Sequence, residues 1–129
     1  MRQCRFECIS HGINEEMRVV HYDVSEQYTS HHDFGYPKSF GNHKSRSISF
    51  CMYFNSVEKG GYTHFPRYHN AETGDGLKVK PEKGKAVIFY MVNPDGNLDD
   101  FSQHASLPVE EGEKYFANIW IWDPYSRDM

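Results

Sequence analysis

Six segments of the chain are rich in β-branched and aromatic residues, which favour β-strands, and several alternate apolar with polar positions. Successive residues of a strand point to opposite faces of a sheet, so residues two apart share a face. In RSISFCMYF, for example, Ile48, Phe50 and Met52 lie on one face. The predicted strands are 17–23, 46–54, 62–68, 77–81, 86–92 and 114–122.

Turn-forming residues separate these strands, at 35–37, 60–61, 73–76, 82–84 and 94–96. Many short strands joined by regular turns indicate an all-β sandwich or barrel. Only residues 1–16 have a pattern that allows a short helix. With 129 residues, the chain has the length of one domain. We therefore expect a short N-terminal segment, 1–16, followed by one domain at 17–129.

Charge and hydropathy argue against several classes of partner. The formal net charge of -4 does not suggest a nucleic-acid partner or binding to an anionic membrane surface. The longest clean apolar run, AVIFYMV, is far shorter than the ~20 residues that span a membrane. The opening MRQCRFECIS has basic residues but no apolar stretch, so no signal peptide is visible. The compartment stays open: the lumen of the secretory pathway for a truncated eukaryotic chain, otherwise the cytoplasm.

The segment YTSHHDF carries the clearest candidate chemistry. His31 and Asp33 are two residues apart and share a face on an extended chain. Two histidines and one carboxylate on one face of an octahedron are the ligand set of non-haem Fe(II) oxygenases, which leaves open coordination positions. A surface histidine and a turn-capping aspartate are the alternative. The candidates for the missing ligand are His11, His21, His32, His43, His64, His69 and His104.

Four segments, in order, resemble motifs of the prolyl 4-hydroxylases, which are dioxygenases dependent on Fe(II) and 2-oxoglutarate. They are MRVVHYDVSEQYTSHHD (17–33), RSISFCMYFNSVEKGGYTHFP (46–66), GLKVKPEKGKAVIFY (76–90) and HASLPVEEGEKYFANIW (104–120). The resemblance implies a double-stranded β-helix, the jelly roll shared with cupins. Family members carry a helical part before the first strand, whereas this N-terminal part is minimal and possibly truncated. We therefore expect a partner or a missing segment to cover the major sheet.

The resemblance also implies the functional residues. The iron ligands, which form the catalytic centre, are His31, Asp33 and His104. The residues that hold 2-oxoglutarate are Lys114, Tyr22 and Thr63, with the lysine paired to the distal carboxylate. The residues on the substrate side are Tyr28, Arg46 and Trp120. The loop at 35–44 is predicted to be a substrate lid.

The implied activity is hydroxylation of a prolyl residue in a peptide or protein. It uses Fe(II), 2-oxoglutarate, O2 and ascorbate, and it converts 2-oxoglutarate to succinate. Two alternatives stay open: the same oxygenase class acting on a non-prolyl substrate, and a non-catalytic structural subunit that retains the fold. Trp122 favours the first of these, because the family often has a polar residue at this position.

Overall fold

A computed structural model describes residues 1–5, 14–34 and 46–122, so the predicted lid at 35–44 lies outside the described residues. The first strands are β1 (Arg2–Arg5), β2 (Arg18–Tyr22), β3 (Tyr28–His31), β4 (Arg46–Tyr53), β5 (Lys59–Gly60) and β6 (Thr63–His69). The later strands are β7 (Gly76–Val79), β8 (Ala86–Tyr90), β9 (His104–Ser106), β10 (Val109–Glu111) and β11 (Lys114–Trp122). A single-turn 3-10 helix, Asp100–Ser102, lies between β8 and β9.

The strands form two facing antiparallel sheets. The major sheet has the order β1-β2-β11-β4-β8, and the minor sheet has the order β3-β9-β6-β7. A short ribbon of β5 and β10 stands apart from both. This arrangement confirms the predicted all-β class and the double-stranded β-helix.

The six predicted strands correspond to β2, β4, β6, β7, β8 and β11. The sequence pattern missed the other five, each of which has four residues or fewer. The prediction that residues 1–16 could hold a short helix is wrong for Arg2–Arg5, which form β1. There the backbone pairs with β2, with Gln3 opposite Val20, and this pairing outweighs local propensity.

The core between the sheets is built from a few large side chains. Its central cluster consists of Val20, Tyr22, Tyr53, Val57, Val109 and Phe116. Both tyrosines are almost completely buried, so their hydroxyls require polar partners inside the protein. The core therefore continues directly into a polar pocket.

Two consecutive glycines bring the chain from the ribbon into the minor sheet. Gly60 and Gly61 have φ values of 76° and 68°, which glycine adopts without steric cost. A Cβ on Gly60 would lie 2.4 Å from the carbonyl oxygen of Pro108, so the close approach also requires glycine. This turn places Thr63, at the start of β6, inside the molecule.

The outer face of β8 carries Ile88 and Tyr90, whose side chains are 58% and 65% exposed. That a partner or a further segment covers the major sheet stays a prediction.

Within the described part of the chain, no helix is long and apolar enough to cross a membrane.

Candidate metal centre and adjoining pocket

Cross-strand pairing brings together the three predicted metal ligands. His31 ends β3, His104 begins β9, and the two residues face each other in the antiparallel register. The Nε2 atom of His31 lies 3.2 Å from Oδ1 of Asp33, and the Nε2 atom of His104 lies 3.5 Å from Oδ2. The three donor atoms lie within 4.8 Å of one another, so one ion could contact all of them.

Backbone carbonyls orient both imidazoles. Nδ1 of His31 donates to the carbonyl of Thr29 at 2.8 Å, and Nδ1 of His104 donates to the carbonyl of Ser102 at 2.9 Å. Because a carbonyl can only accept, the neutral form of each ring carries its proton on Nδ1 and keeps the lone pair on Nε2. This is the tautomer that a metal-binding histidine needs.

Asp33 is held as a carboxylate in a buried position. Its Oδ2 accepts hydrogen bonds from Oγ of Ser49 at 2.7 Å and from Nε1 of Trp120 at 3.0 Å. Burial alone would raise the pKa of Asp33. When the two rings are protonated, a hydrogen bond from His31 and the charge of His104 act together with the hydrogen bonds from Ser49 and Trp120. These interactions outweigh burial and hold the pKa of Asp33 well below its usual range.

The donor set fits Fe(II). Two imidazole nitrogens and one carboxylate match the facial triad of non-haem iron oxygenases. The rings of Phe89 and Phe65 pack 4.8 Å and 5.6 Å from the ring of His104, which makes the surroundings apolar. A structural zinc site would need a fourth protein ligand, and no fourth member joins this cluster among the described residues.

A cavity of about 190 Å³ adjoins the cluster, and Lys114 is one of the residues that line it. The Lys114 side chain is buried, and its Nζ donates to Oγ of Ser106 at 2.9 Å. No carboxylate in the described ranges lies within ion-pair distance of this ammonium, and burial lowers its pKa to about 8. A buried charge without a counter-ion is costly, so the pocket is prepared for an anionic ligand.

Hydroxyl groups line the wall between the cluster and Lys114. The Tyr22 hydroxyl forms a hydrogen bond with Ser106, and burial raises the pKa of Tyr22 to about 12. The hydroxyls of Tyr53 and Thr63 lie 2.6 Å apart. Tyr22, Thr63 and Lys114 therefore line one pocket. That they hold 2-oxoglutarate stays a prediction.

Three polar residues of the site, Ser49, Tyr53 and Ser106, were missed by the sequence reasoning. Two signals pointed to them. Ser106 is two residues beyond His104, on the same face of β9, and Ser49 and Tyr53 share a face of β4.

The predicted substrate-side residues line the same cavity. Tyr28 is 42% exposed at the cavity mouth, and its ring contacts the edge of the His31 ring at 4.2 Å. The Arg46 guanidinium stacks on Trp120 at 3.9 Å and forms an ion pair with Glu15. The Trp120 indole also donates to Asp33, so this residue belongs to the metal centre as much as to the substrate side.

Of the candidate histidines, His104 joins the cluster. The His32 ring stacks on Phe34 instead, with ring centroids 4.5 Å apart. His21 forms a separate cluster on the outer face of the major sheet, with Glu113 at 3.0 Å and Asp23 at 3.5 Å. His64 and His69 belong to β6, and His11 and His43 lie outside the described residues.

Comparison with known proteins identifies a family and several relatives. The sequence profile of the 2OG-Fe(II) oxygenase superfamily matches residues 17–122. "Probable prolyl 4-hydroxylase 9" of Arabidopsis thaliana is 41% identical over 123 residues, which cover 88% of this chain and 42% of the relative. Prolyl 4-hydroxylase 13 of the same plant is 39% identical over 119 residues, covering 84% of this chain and 43% of the relative.

A solved structure is also similar. The viral collagen prolyl hydroxylase of Paramecium Bursaria Chlorella virus-1, crystallised with 2OG, superposes with a TM-score of 0.71 at 30% identity. The match covers 84% of this chain and 59% of the viral chain. The chain thus spans less than half the length of these plant relatives.

Proposed function

The chain belongs to the 2OG-Fe(II) oxygenase superfamily, and we propose that it hydroxylates a prolyl residue in a peptide or protein. The observation that carries this proposal is the position of Lys114, which is buried without a carboxylate partner among the described residues and lines the same cavity as His31, Asp33 and His104. A dicarboxylate bound there would face an ammonium at one end and the metal at the other.

His31, Asp33 and His104 would hold Fe(II). With 2-oxoglutarate and O2 as co-substrates, the iron would supply the oxidising chemistry that hydroxylates the substrate and converts 2-oxoglutarate to succinate and carbon dioxide. Three protein ligands would leave coordination positions free for them. The aromatic rings around His104 exclude water from this side of the centre.

Lys114 binds the distal carboxylate of 2-oxoglutarate by a charge-assisted hydrogen bond. Ser106 holds the ammonium in place through the contact at 2.9 Å. The hydroxyls of Tyr22 and Thr63 donate to the ligand, and both residues are already fixed by buried partners. The pocket is therefore preorganised, which reduces the entropic cost of binding.

The substrate approaches from the side of Tyr28, which is exposed at the mouth of the cavity. Arg46 and Trp120 form a stacked pair beside it, fixed by Glu15. The plant and viral relatives are prolyl hydroxylases, which supports a proline-containing peptide as the substrate. Ascorbate would keep the iron reduced.

The test is succinate release by anaerobically purified protein loaded with Fe(II) and ascorbate, then exposed to oxygen with and without a proline-rich peptide. We expect turnover that the peptide stimulates. The matched controls are Lys114→Met, which should be inactive, and Lys83→Met, a change at an exposed turn, which should be fully active.

Each contrary outcome points to one alternative. Turnover that no proline-containing peptide stimulates would favour a non-prolyl substrate. A folded protein that binds neither Fe(II) nor 2-oxoglutarate would favour a structural subunit.

A further inference from the structure

We propose that Ser49 is a positioning residue which, together with Trp120, restricts Asp33 to binding the metal through Oδ1 alone. The inference rests on the proposed function, because it concerns how the iron would be held. Nothing in the sequence motif distinguishes the two oxygens of this carboxylate. The distinction comes from the hydrogen bonds around Asp33.

The two donors are a cross-strand pair of the major sheet. Ser49 on β4 and Trp120 on β11 are directly opposite each other in the antiparallel register. Both side chains point inward and reach the same atom, Oδ2 of Asp33, at 2.7 Å and 3.0 Å. Asp33 follows β3 of the minor sheet, so the pair fixes the carboxylate across the gap between the sheets.

Burial makes these hydrogen bonds persistent. Ser49 is 1% exposed and Trp120 and Asp33 are each 7% exposed, so water does not compete for Oδ2. Each carboxylate oxygen offers about two lone-pair positions, and the two donors fill those of Oδ2. Met91, completely buried, packs its sulfur 3.7 Å from Oγ of Ser49 and confines the hydroxyl.

Both oxygens approach the ligand cluster: Oδ1 lies 3.2 Å from Nε2 of His31, and Oδ2 lies 3.5 Å from Nε2 of His104. Ser49 and Trp120 donate to Oδ2 and not to Oδ1, so Oδ1 is the oxygen left for the metal. The Arg46 guanidinium donates to the backbone carbonyl of Asp33 at 3.3 Å, which limits movement of this residue. Binding through one oxygen matters because a second bound oxygen would occupy a coordination position that 2-oxoglutarate or O2 needs.

The test uses Co²⁺ as the metal and needs no turnover. We expect Ser49→Ala to weaken Co²⁺ binding about 10-fold or more, the range seen when a ligand loses its outer hydrogen bond. Its Co²⁺ absorption spectrum should also change, because the freed Oδ2 can enter the coordination sphere. Ser49→Thr, which keeps the hydroxyl, should restore the wild-type affinity and spectrum.

Ser56→Ala is the control. The Ser56 hydroxyl accepts a hydrogen bond from the backbone N–H of Lys83 at 3.0 Å and does not contact Asp33. This variant should leave the Co²⁺ affinity and spectrum unchanged. If Ser49→Ala does not fold, Trp120→Phe removes the second donor and keeps most of the ring, and the same spectral change is expected.

Wild-type affinity and an unchanged spectrum in the folded Ser49→Ala or Trp120→Phe variant would overturn the proposal. A wild-type protein that binds Co²⁺ but not 2-oxoglutarate would overturn the proposed function alone, since the Ser49 comparison remains decisive. A wild-type protein that binds no Co²⁺ would overturn both.

Discussion

Replacing Lys114 by Met should make the ligand-free protein more stable while abolishing its binding of 2-oxoglutarate. The ammonium is buried among the rings of Phe116, Tyr22 and Tyr53, at 4.9 Å, 5.5 Å and 5.7 Å from their centroids. Within the described part of the chain, its ammonium donates a hydrogen bond to Ser106. A methionine fills a similar volume without a charge.

The pKa gives the size of the effect. Burial lowers the pKa of Lys114 from 10.5 to about 8, and each pKa unit corresponds to about 1.4 kcal/mol. The charged residue therefore destabilises the folded state by about 3 kcal/mol at pH 7. Losing the hydrogen bond to Ser106 offsets about 1 kcal/mol, so the variant should gain about 2 kcal/mol.

The pH dependence has a defined sign. Below pH 8 both states of the wild type carry the proton on Lys114, and the destabilisation is complete. Between pH 8 and 10.5 the unfolded state binds this proton and the folded state does not, so wild-type stability rises with pH relative to the variant. Burial raises the pKa of the neighbouring Tyr22, Tyr53 and Cys51 to about 12, so these groups stay neutral in this window.

The assay is urea unfolding of metal-free wild type and Lys114→Met at several pH values from 7 to 10, with Lys83→Met as the control. The stability advantage of Lys114→Met should shrink as the pH rises. Thermal unfolding with 2-oxoglutarate should stabilise the metal-loaded wild type but not the variant. An advantage that is absent at pH 7, or constant up to pH 10, would refute the reasoning.

Three further predictions concern the metal, the pocket and the fold. His104→Ala should lose Fe(II), measured as bound metal after desalting, and iron retained at wild-type stoichiometry would contradict the ligand set. Tyr53→Phe removes the hydroxyl that contacts Thr63; it should raise the KM for 2-oxoglutarate about 5-fold with kcat nearly unchanged, whereas a loss confined to kcat would argue against this role. Gly60→Ala should cost several times more unfolding free energy than Gly74→Ala. Both glycines have positive φ, but a Cβ would collide with backbone only at Gly60. If urea unfolding showed the same loss of unfolding free energy for both variants, the backbone around residue 60 would have shifted to relieve the collision, contrary to this prediction.

The alternation of residues predicted the long strands but not which face of β4 is buried. Hydrophobicity favours Ile48, Phe50 and Met52, yet the buried positions are Ser49, Cys51 and Tyr53. The interior of this sheet is a polar pocket, so hydrophobicity selects the wrong face. Short strands such as β9 were missed because three residues carry too little periodicity to be recognised.

The metal ligands were predictable to different degrees. Spacing alone places His31 and Asp33 on one face, whereas the selection of His104 required the resemblance. The structure adds the reason, because antiparallel pairing sets His31 opposite His104. The interaction of Trp120 with Asp33 was not predictable, since it depends on how far the two sheets are apart.

The position of β11 in the major sheet has a consequence for the order of folding. β11 is the last strand of the described chain, yet it lies between β2 and β4, near the middle of the sheet. During synthesis, β2 and β4 have no β11 to pair with until residues 114–122 have left the ribosome, so the backbone groups along one edge of each strand stay unpaired until then. Such long-range pairing is slow to form. Shortening the chain within β11 should therefore cause aggregation rather than partial activity.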